Sequence, residues 1–164
     1  MNIENLNFNN VSEDKQKSIK DAWEKILSRF PEKLQEEFRI ERPEPDQDDI
    51  EMFRSLVLLE SNPVEISIEK LLETNKDVIY RTPPDVFEEI NKKYYKNELD
   101  KEKCHVHEIK PERLRDFSKM PAETADPSVL LDKEIWFGTG RFVAALLRGD
   151  KYLRVWKLTR KLTK

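Results

Sequence analysis

The two histidines of the chain stand one residue apart, in His105-Val106-His107, with Cys104 before them and Glu108 after. Extended backbone points residues i and i+2 to one face, so both imidazoles could address a single metal ion. A metal site needs three or four convergent ligands, and on such a strand Cys104 and Glu108 would face the other way. The pair therefore reads first as two polar side chains on a strand face, with metal ligation as the lesser alternative. The same alternation keeps the Cys104 thiol from being activated by its neighbouring imidazole.

A second set is Pro84-Asp85 followed downstream by Glu108-Ile109-Lys110. It loosely resembles the PD…(D/E)xK pattern of metal-dependent nucleases. The resemblance implies that Asp85 and Glu108 would hold a divalent ion while Lys110 positions or activates the attacking water. That pattern places its Asp on a strand, whereas Thr82-Pro83-Pro84-Asp85 reads as the start of a helix. The competing reading makes Asp85 a first-turn acid and Lys110 a solvated strand end.

The C-terminal stretch is basic and aromatic. From Arg141 onward there are eight Lys or Arg against one acid, Asp150, a net +7, so the first 140 residues carry −10 of the total −3. Tyr152, Arg154 and Trp156 alternate on one strand face, with Lys157 and Arg160 beside them. Cations that neutralise phosphates next to aromatics that stack bases suit single-stranded nucleic acid. The alternative is that Tyr152 and Trp156 are sheet residues and the cations blunt an edge strand. A sequence pI of about 5.6 also differs from the basic domain typical of nucleic-acid binders. Gly138-Thr139-Gly140-Arg141 lacks the further glycines, the Lys-Ser/Thr pair and the following helix of a phosphate-cradling loop, and is expected to be a hairpin turn.

The opposite charge is concentrated at residues 41–49, ERPEPDQDD. Pro43 and Pro45 force extended backbone there, so the run is expected to be a surface linker. Its acids lack the spacing and the glycine of a calcium loop. Glu44, Asp46, Asp48 and Asp49 could instead cover the cationic site of a partner, as small inhibitor and toxin-neutralising proteins do.

At 164 residues the chain is expected to form one domain with a core of its own. The single Cys104 rules out an intramolecular disulfide and suits a reducing compartment. MNIENLNFNN has neither a basic start nor an apolar run, so no secretory signal is read and a cytoplasmic location is expected. The longest apolar runs are about six residues, against roughly 20 for a membrane span, so no membrane partner is expected.

The elements follow from the spacing of apolar residues. Residues 1–11 are Asn-rich and expected to be a loose lead-in. Ser12 is the expected cap of a helix whose inner face is Ile19, Trp23, Ile26, Leu27 and Phe30. Pro31 ends it or starts a second helix carrying Leu34 and Phe38 to about Ile40. Ile50, Phe53, Leu56 and Val57 predict a helix over 49–60. Val64, Ile66 and Ile68 alternate as in a strand, while residues 67–73 read as a capped helical turn with Leu71 and Leu72 inward. Residues 76–81 are expected to be a strand and residues 82–99 a helix, followed by a strand over 103–110 and a short helix from Pro111. Three strands, 134–137, 141–147 and 151–158, with the glycines in their turns, would close the chain as an antiparallel meander.

The order predicts an α+β fold, N-terminal helices packed on a small antiparallel sheet. The function it favours is a non-enzymatic protein-binding module of inhibitor type, using the acidic surface and needing no cofactor. Nucleic-acid binding through Arg154, Trp156, Lys157, Arg160 and Tyr152 is the alternative, and a metal-dependent hydrolase the second. The acidic body and basic end also allow self-association.

Overall fold

A computed structural model of the chain describes residues 3–104, 114, 119 and 125–161, with side chains from residue 13 onward. The fold is α+β, and the chain divides into two compact units, Met1–Ser61 with Arg160–Lys164, and Asn62–Thr159.

The first unit contains α1 (Ile3–Leu27), α2 (Glu32–Glu41), α3 (Gln47–Arg54) and β1 (Leu56–Leu58). Helix α1 begins at Ile3 rather than at Ser12, so residues 3–11 are helical and not a loose lead-in. Asparagine is only a few tenths of a kcal/mol worse than average in a helix, and each residue added to an existing helix gains a hydrogen bond. Trp23, Ile26, Leu27 and Phe30 are buried as their spacing predicts, together with Leu34, Phe38, Ile50, Phe53 and Leu56. Four rings connect the helices edge to face. Trp23 meets Phe53 at 4.7 Å between centroids, Phe53 meets Phe38 at 4.9 Å, and Phe38 meets Phe30 at 5.3 Å. The expected helix over 49–60 stops at Arg54, where Leu56–Leu58 turns into a strand. Only Ile50 and Phe53 of that apolar set are buried on the helix itself.

The second unit holds a mixed sheet in the order β2 (Val64–Ser67), β5 (Tyr152–Arg160), β3 (Ser128–Leu131), β4 (Glu134–Phe137). Strand β2 is antiparallel to β5, with Val64 opposite Val155, and β3 is antiparallel to β4. Strands β3 and β5 are parallel, Ser128 opposite Val155 and Leu131 opposite Leu158. The sheet is thus neither wholly antiparallel nor a C-terminal meander. Residues 141–147, expected to be its middle strand, lie in helix α7 (Thr139–Arg148).

Packing explains that difference. Phe142, Val143, Ala144, Ala145 and Leu146 are all buried in succession, an apolar run that periodicity alone cannot assign. Two alanines favour the helix, and glycines bound it at both ends. Gly138 and Gly149 each take φ of +81°, where a Cβ is strained. A Cβ on Gly138 would also stand 2.7 Å from Ser128 Oγ. At the other end the Gly149 N–H donates to Leu146 O and the Asp150 N–H to Ala145 O, the two bonds of a Schellman stop. A right-handed route between parallel neighbours calls for such a crossover.

Helices α4 (Ile68–Thr74), α5 (Lys76–Ile79) and α6 (Pro84–Tyr94) complete the unit. The segment expected to be a strand over 76–81 is instead α5, Lys76–Ile79, followed by a turn, because Val78 and Ile79 are both buried and a half-buried strand would have turned one outward. Thr82 is buried and donates to Ile79 O, so the cap of α6 is Pro83 and not Thr82. The helix ends near Tyr94 instead of Leu99. There Lys96 and Asn97 take positive φ, and Asn91 brackets Leu99 with a bond to its N–H and one from its own amide to Leu99 O. The expected strand over 103–110 and the helix start at Pro111 fall almost wholly outside the described residues. Their near ends are a 3-10 turn over Lys101–Lys103 and a buried Leu114.

Asn75, 2% exposed, ties the helices to the sheet. Its amide nitrogen donates to Leu71 O and Lys133 O, and its oxygen accepts from the Ile135 N–H at 2.7 Å. That N–H belongs to β4, whose outer edge would otherwise carry an unpaired donor. Asn75→Ala orphans the Ile135 donor, while Lys133 O keeps its bond from Thr74 Oγ1, and is expected to lower unfolding free energy by about 1–3 kcal/mol in urea denaturation. Tyr95 gives a pH signature. Its hydroxyl donates to Leu72 O at 2.8 Å, and burial, with Tyr80 adding to it, pushes the phenol above its ordinary range. The folded value exceeds the unfolded one, so this stabilisation is complete below about pH 10 and is lost as pH rises beyond it. The stability gap between wild type and Tyr95→Phe is expected to narrow above about pH 10 in urea titrations.

Candidate functional site

The acidic run folds as the connector between α2 and α3 and the first turn of α3. Only residues 42–46 are linker, because Asp46 caps α3 and residues 47–49 are helical. Asp49 N–H donates to Asp46 Oδ1 at 2.8 Å, and Asp46 N–H to Asp49 Oδ2 at 3.0 Å. This reciprocal capping box satisfies two otherwise orphaned donors and sets two carboxylates at the positive end of a helix. Asp49 also accepts from Arg42 Nε at 3.1 Å. Asp46 and Asp49 are therefore occupied within the fold. Glu44 and Asp48 are exposed and, among the described residues, have no hydrogen bond or ion pair.

This connector forms one wall of a cleft of about 750 Å³. The opposite wall is α1, through Gln16, Ile19, Lys20, Trp23 and Glu24, with Arg39 of α2 between them. Positions 16, 19, 20, 23 and 24 recur at helical spacing, so one strip of α1 supplies that wall. Trp23 is anchored from behind by Phe53, and Pro43 and Pro45 stiffen the connector. Arg39 bonds Glu24 at 2.8 Å, so both arginines at the cleft face a carboxylate. The rim is left with Lys20 on one side and Glu44 on the other. The space suits a side chain or a small ligand. The titratable side chains of the lining are Lys20, Glu24, Arg39, Arg42, Glu44 and Asp46, with no His, Cys, Ser or Tyr among them.

The other sequence-derived positions are dispersed. Asp85 is exposed in the first turn of α6, a helical position that departs from the strand setting of the nuclease pattern. Glu108, Lys110, His105 and His107 lie outside the described residues. Among the described residues no group of three or more His, Cys, Asp or Glu could hold a metal ion, and no helix is long and apolar enough to cross a membrane. Burial pushes the Cys104 thiol up, with Lys101 drawing it partly back, which keeps it protonated and a poor nucleophile at neutral pH.

Along β5, Tyr152, Arg154 and Trp156 do not share one solvent face. Tyr152 is 56% exposed, but Trp156 is 5% exposed and has no ring face to offer a base. Arg154 donates to Ala125 O at 2.7 Å, and Arg141 to Pro127 O at the same distance. Both guanidiniums thus fasten the segment leading into β3. Lys157 is half-buried and Arg160 exposed. Gly138 is followed by a helix after all, though without the lysine or added glycines of a phosphate loop. No family model matches the chain, and neither curated proteins nor solved structures give a significant match.

Sequence reasoning singled out Glu44 and Asp46 but not Arg42 beside them, nor Trp23 and Arg39 across the cleft they line. The spacing Asp46-x-x-Asp49 before Ile50 was the available signal for the cap. Asp46→Ala is expected to cost about 1 kcal/mol of stability while Asp46→Asn retains nearly all of it, read by urea denaturation.

Proposed function

We propose that the chain is a non-enzymatic protein-binding module that seats a cationic segment of another protein against the acidic connector that forms one wall of this cleft. The observation that carries the reading is the division of labour among the four acids. Asp46 and Asp49 are consumed in holding the wall, Glu44 remains exposed and unneutralised beside Ile19, Trp23, Pro43 and Pro45, and Asp48 remains exposed and unneutralised in the adjoining first turn of α3. Residues Met1 to Ser61 hold nine Lys or Arg against fifteen Asp or Glu, a net −6, so a positively charged partner is attracted from a distance. Burying an apolar side chain on the cleft floor then supplies affinity, and the rim charges supply rate and selectivity. Inhibition follows if the bound segment is the partner's own cationic active site. A reducing, cytoplasmic setting agrees with the half-buried free thiol of Cys104.

The test is capture from nuclease-treated native lysate, followed by affinity measurement on the captured protein. Glu44→Lys with Asp48→Lys is expected to weaken binding at least about tenfold, mainly through slower association, and added salt to weaken the wild-type complex in the same direction. Affinity unchanged by the double reversal sinks the reading.

A further inference from the structure

A second cleft in the first unit, of about 580 Å³, lies on another side of α1. Its lining is Asp21, Ala22, Lys25 and Ile26 of α1, Arg29 just beyond its end, and Arg54 from the last turn of α3. At 3.6 residues per turn, positions 21, 22, 25 and 26 centre roughly 160° around the helix from the strip that lines the first cleft. The two sites share a helix but no residue.

Charge distinguishes this cleft from its surroundings. Within an acidic segment it gathers three cations and one acid. Among the described residues, no carboxylate lies within ion-pair distance of Lys25, Arg29 or Arg54. Arg29 is nevertheless held in place, donating from Nη2 to Leu56 O at 2.8 Å and from Nη1 to Arg54 O at 3.4 Å. Neutral carbonyls fix the guanidinium without cancelling its charge, and three of its five N–H donors remain for a ligand. The Lys161 N–H donates to Ser55 O at 2.7 Å, which brings the backbone of Arg160 and Lys161 beside Arg54.

The opposing term is the helix dipole. Lys25 and Arg54 stand in the last turns of α1 and α3, where each helix end contributes about −0.5 charge. Those two halves and Asp21 offset about two of the three cations, leaving roughly +1 before Arg160 and Lys161 are added. The balance stays positive.

We propose that this cleft binds the phosphate group of a soluble small molecule. A phosphate carries nearly two charges at neutral pH and presents several acceptor oxygens to separate donors, where a monocarboxylate would match only one. Ala22 and Ile26 give an apolar floor for whatever the phosphate is attached to. A long polyanion such as nucleic acid would meet the net −4 that residues 1–61 carry together with Arg160 and Lys161 and be repelled, which limits the ligand to small size. This site is independent of the protein-binding reading of the first cleft.

The experiment is titration of the full chain with pyrophosphate at low salt by calorimetry, with thermal melting in parallel. Saturable binding and a rise in Tm are expected, with affinity falling about tenfold or more in Lys25→Gln and in Arg54→Gln. Both variants leave the two Arg29 bonds in place, so loss of fold does not confuse the result. Glu44→Lys is expected to keep wild-type pyrophosphate affinity, and acetate to bind far more weakly than pyrophosphate. Absence of saturable binding overturns the proposal, as does unchanged affinity in Lys25→Gln and Arg54→Gln. Binding to vesicles with anionic headgroups that pyrophosphate does not compete away would assign the cleft to a membrane surface and overturn the soluble ligand.

Discussion

The edge-to-face chain Trp23–Phe53–Phe38–Phe30 is the contact on which the first unit depends. It joins α1 to α3, α3 to α2, and α2 back to the end of α1. Each such pair adds about 0.5–1.5 kcal/mol beyond the area it buries, and, more to the point, it admits few relative orientations of the helices. Trp23 turns part of its surface to one cleft while its ring packs on Phe53. The residue after Phe53, Arg54, reaches the other cleft. A small unit with little sheet thereby holds two dissimilar clefts around a single helix, one walled by the acidic connector and one with cationic walls.

The second unit is organised by a different constraint, the parallel pairing of β3 with β5. Parallel neighbours must be joined through a crossover, and such strands are commonly covered on both faces. All four residues of β3 are buried, and β5 buries Leu153 and Val155 but also Trp156 and Leu158. That two-sided burial is why the aromatic and cationic residues of β5 serve the fold more than the surface. Arg141 and Arg154 fasten the lead-in to β3, and Asn75 occupies the edge donor of β4.

Much of the helical half was legible. The faces of α1 and α2, and the proline at the start of α6, follow from spacing and from the preferences of the first helical turn. The misread segments share one property. Residues 76–81 and 141–147 are short apolar runs in which neighbours are buried together, and only the packing partners tell such a run from a strand. The glycines at 138 and 149 were rightly read as breaks, but positive φ serves a helix stop as well as a hairpin. The candidate sites were less legible because they are assembled from distant residues. Asp46 and Asp49 looked like free surface charge until the capping box absorbed them. Lys25, Arg29 and Arg54 carry no local pattern at all, since α3 must fold back on α1 before they meet.

The position of β5 has a consequence for how the molecule comes into being. The strand that lies between β2 and β3 is made after both of them, and it pairs residues 64–67 with 152–155. During synthesis the β3–β4 hairpin must wait with one edge of β3 unclaimed, and β2 must wait without any partner. Closing so long a stretch of chain is slow compared with forming the local helices. The helical elements can therefore take shape on the ribosome, while the sheet is completed only once its middle strand has emerged. In that interval the nascent chain exposes strand edges that invite mispairing, a hazard the finished fold no longer carries at those edges.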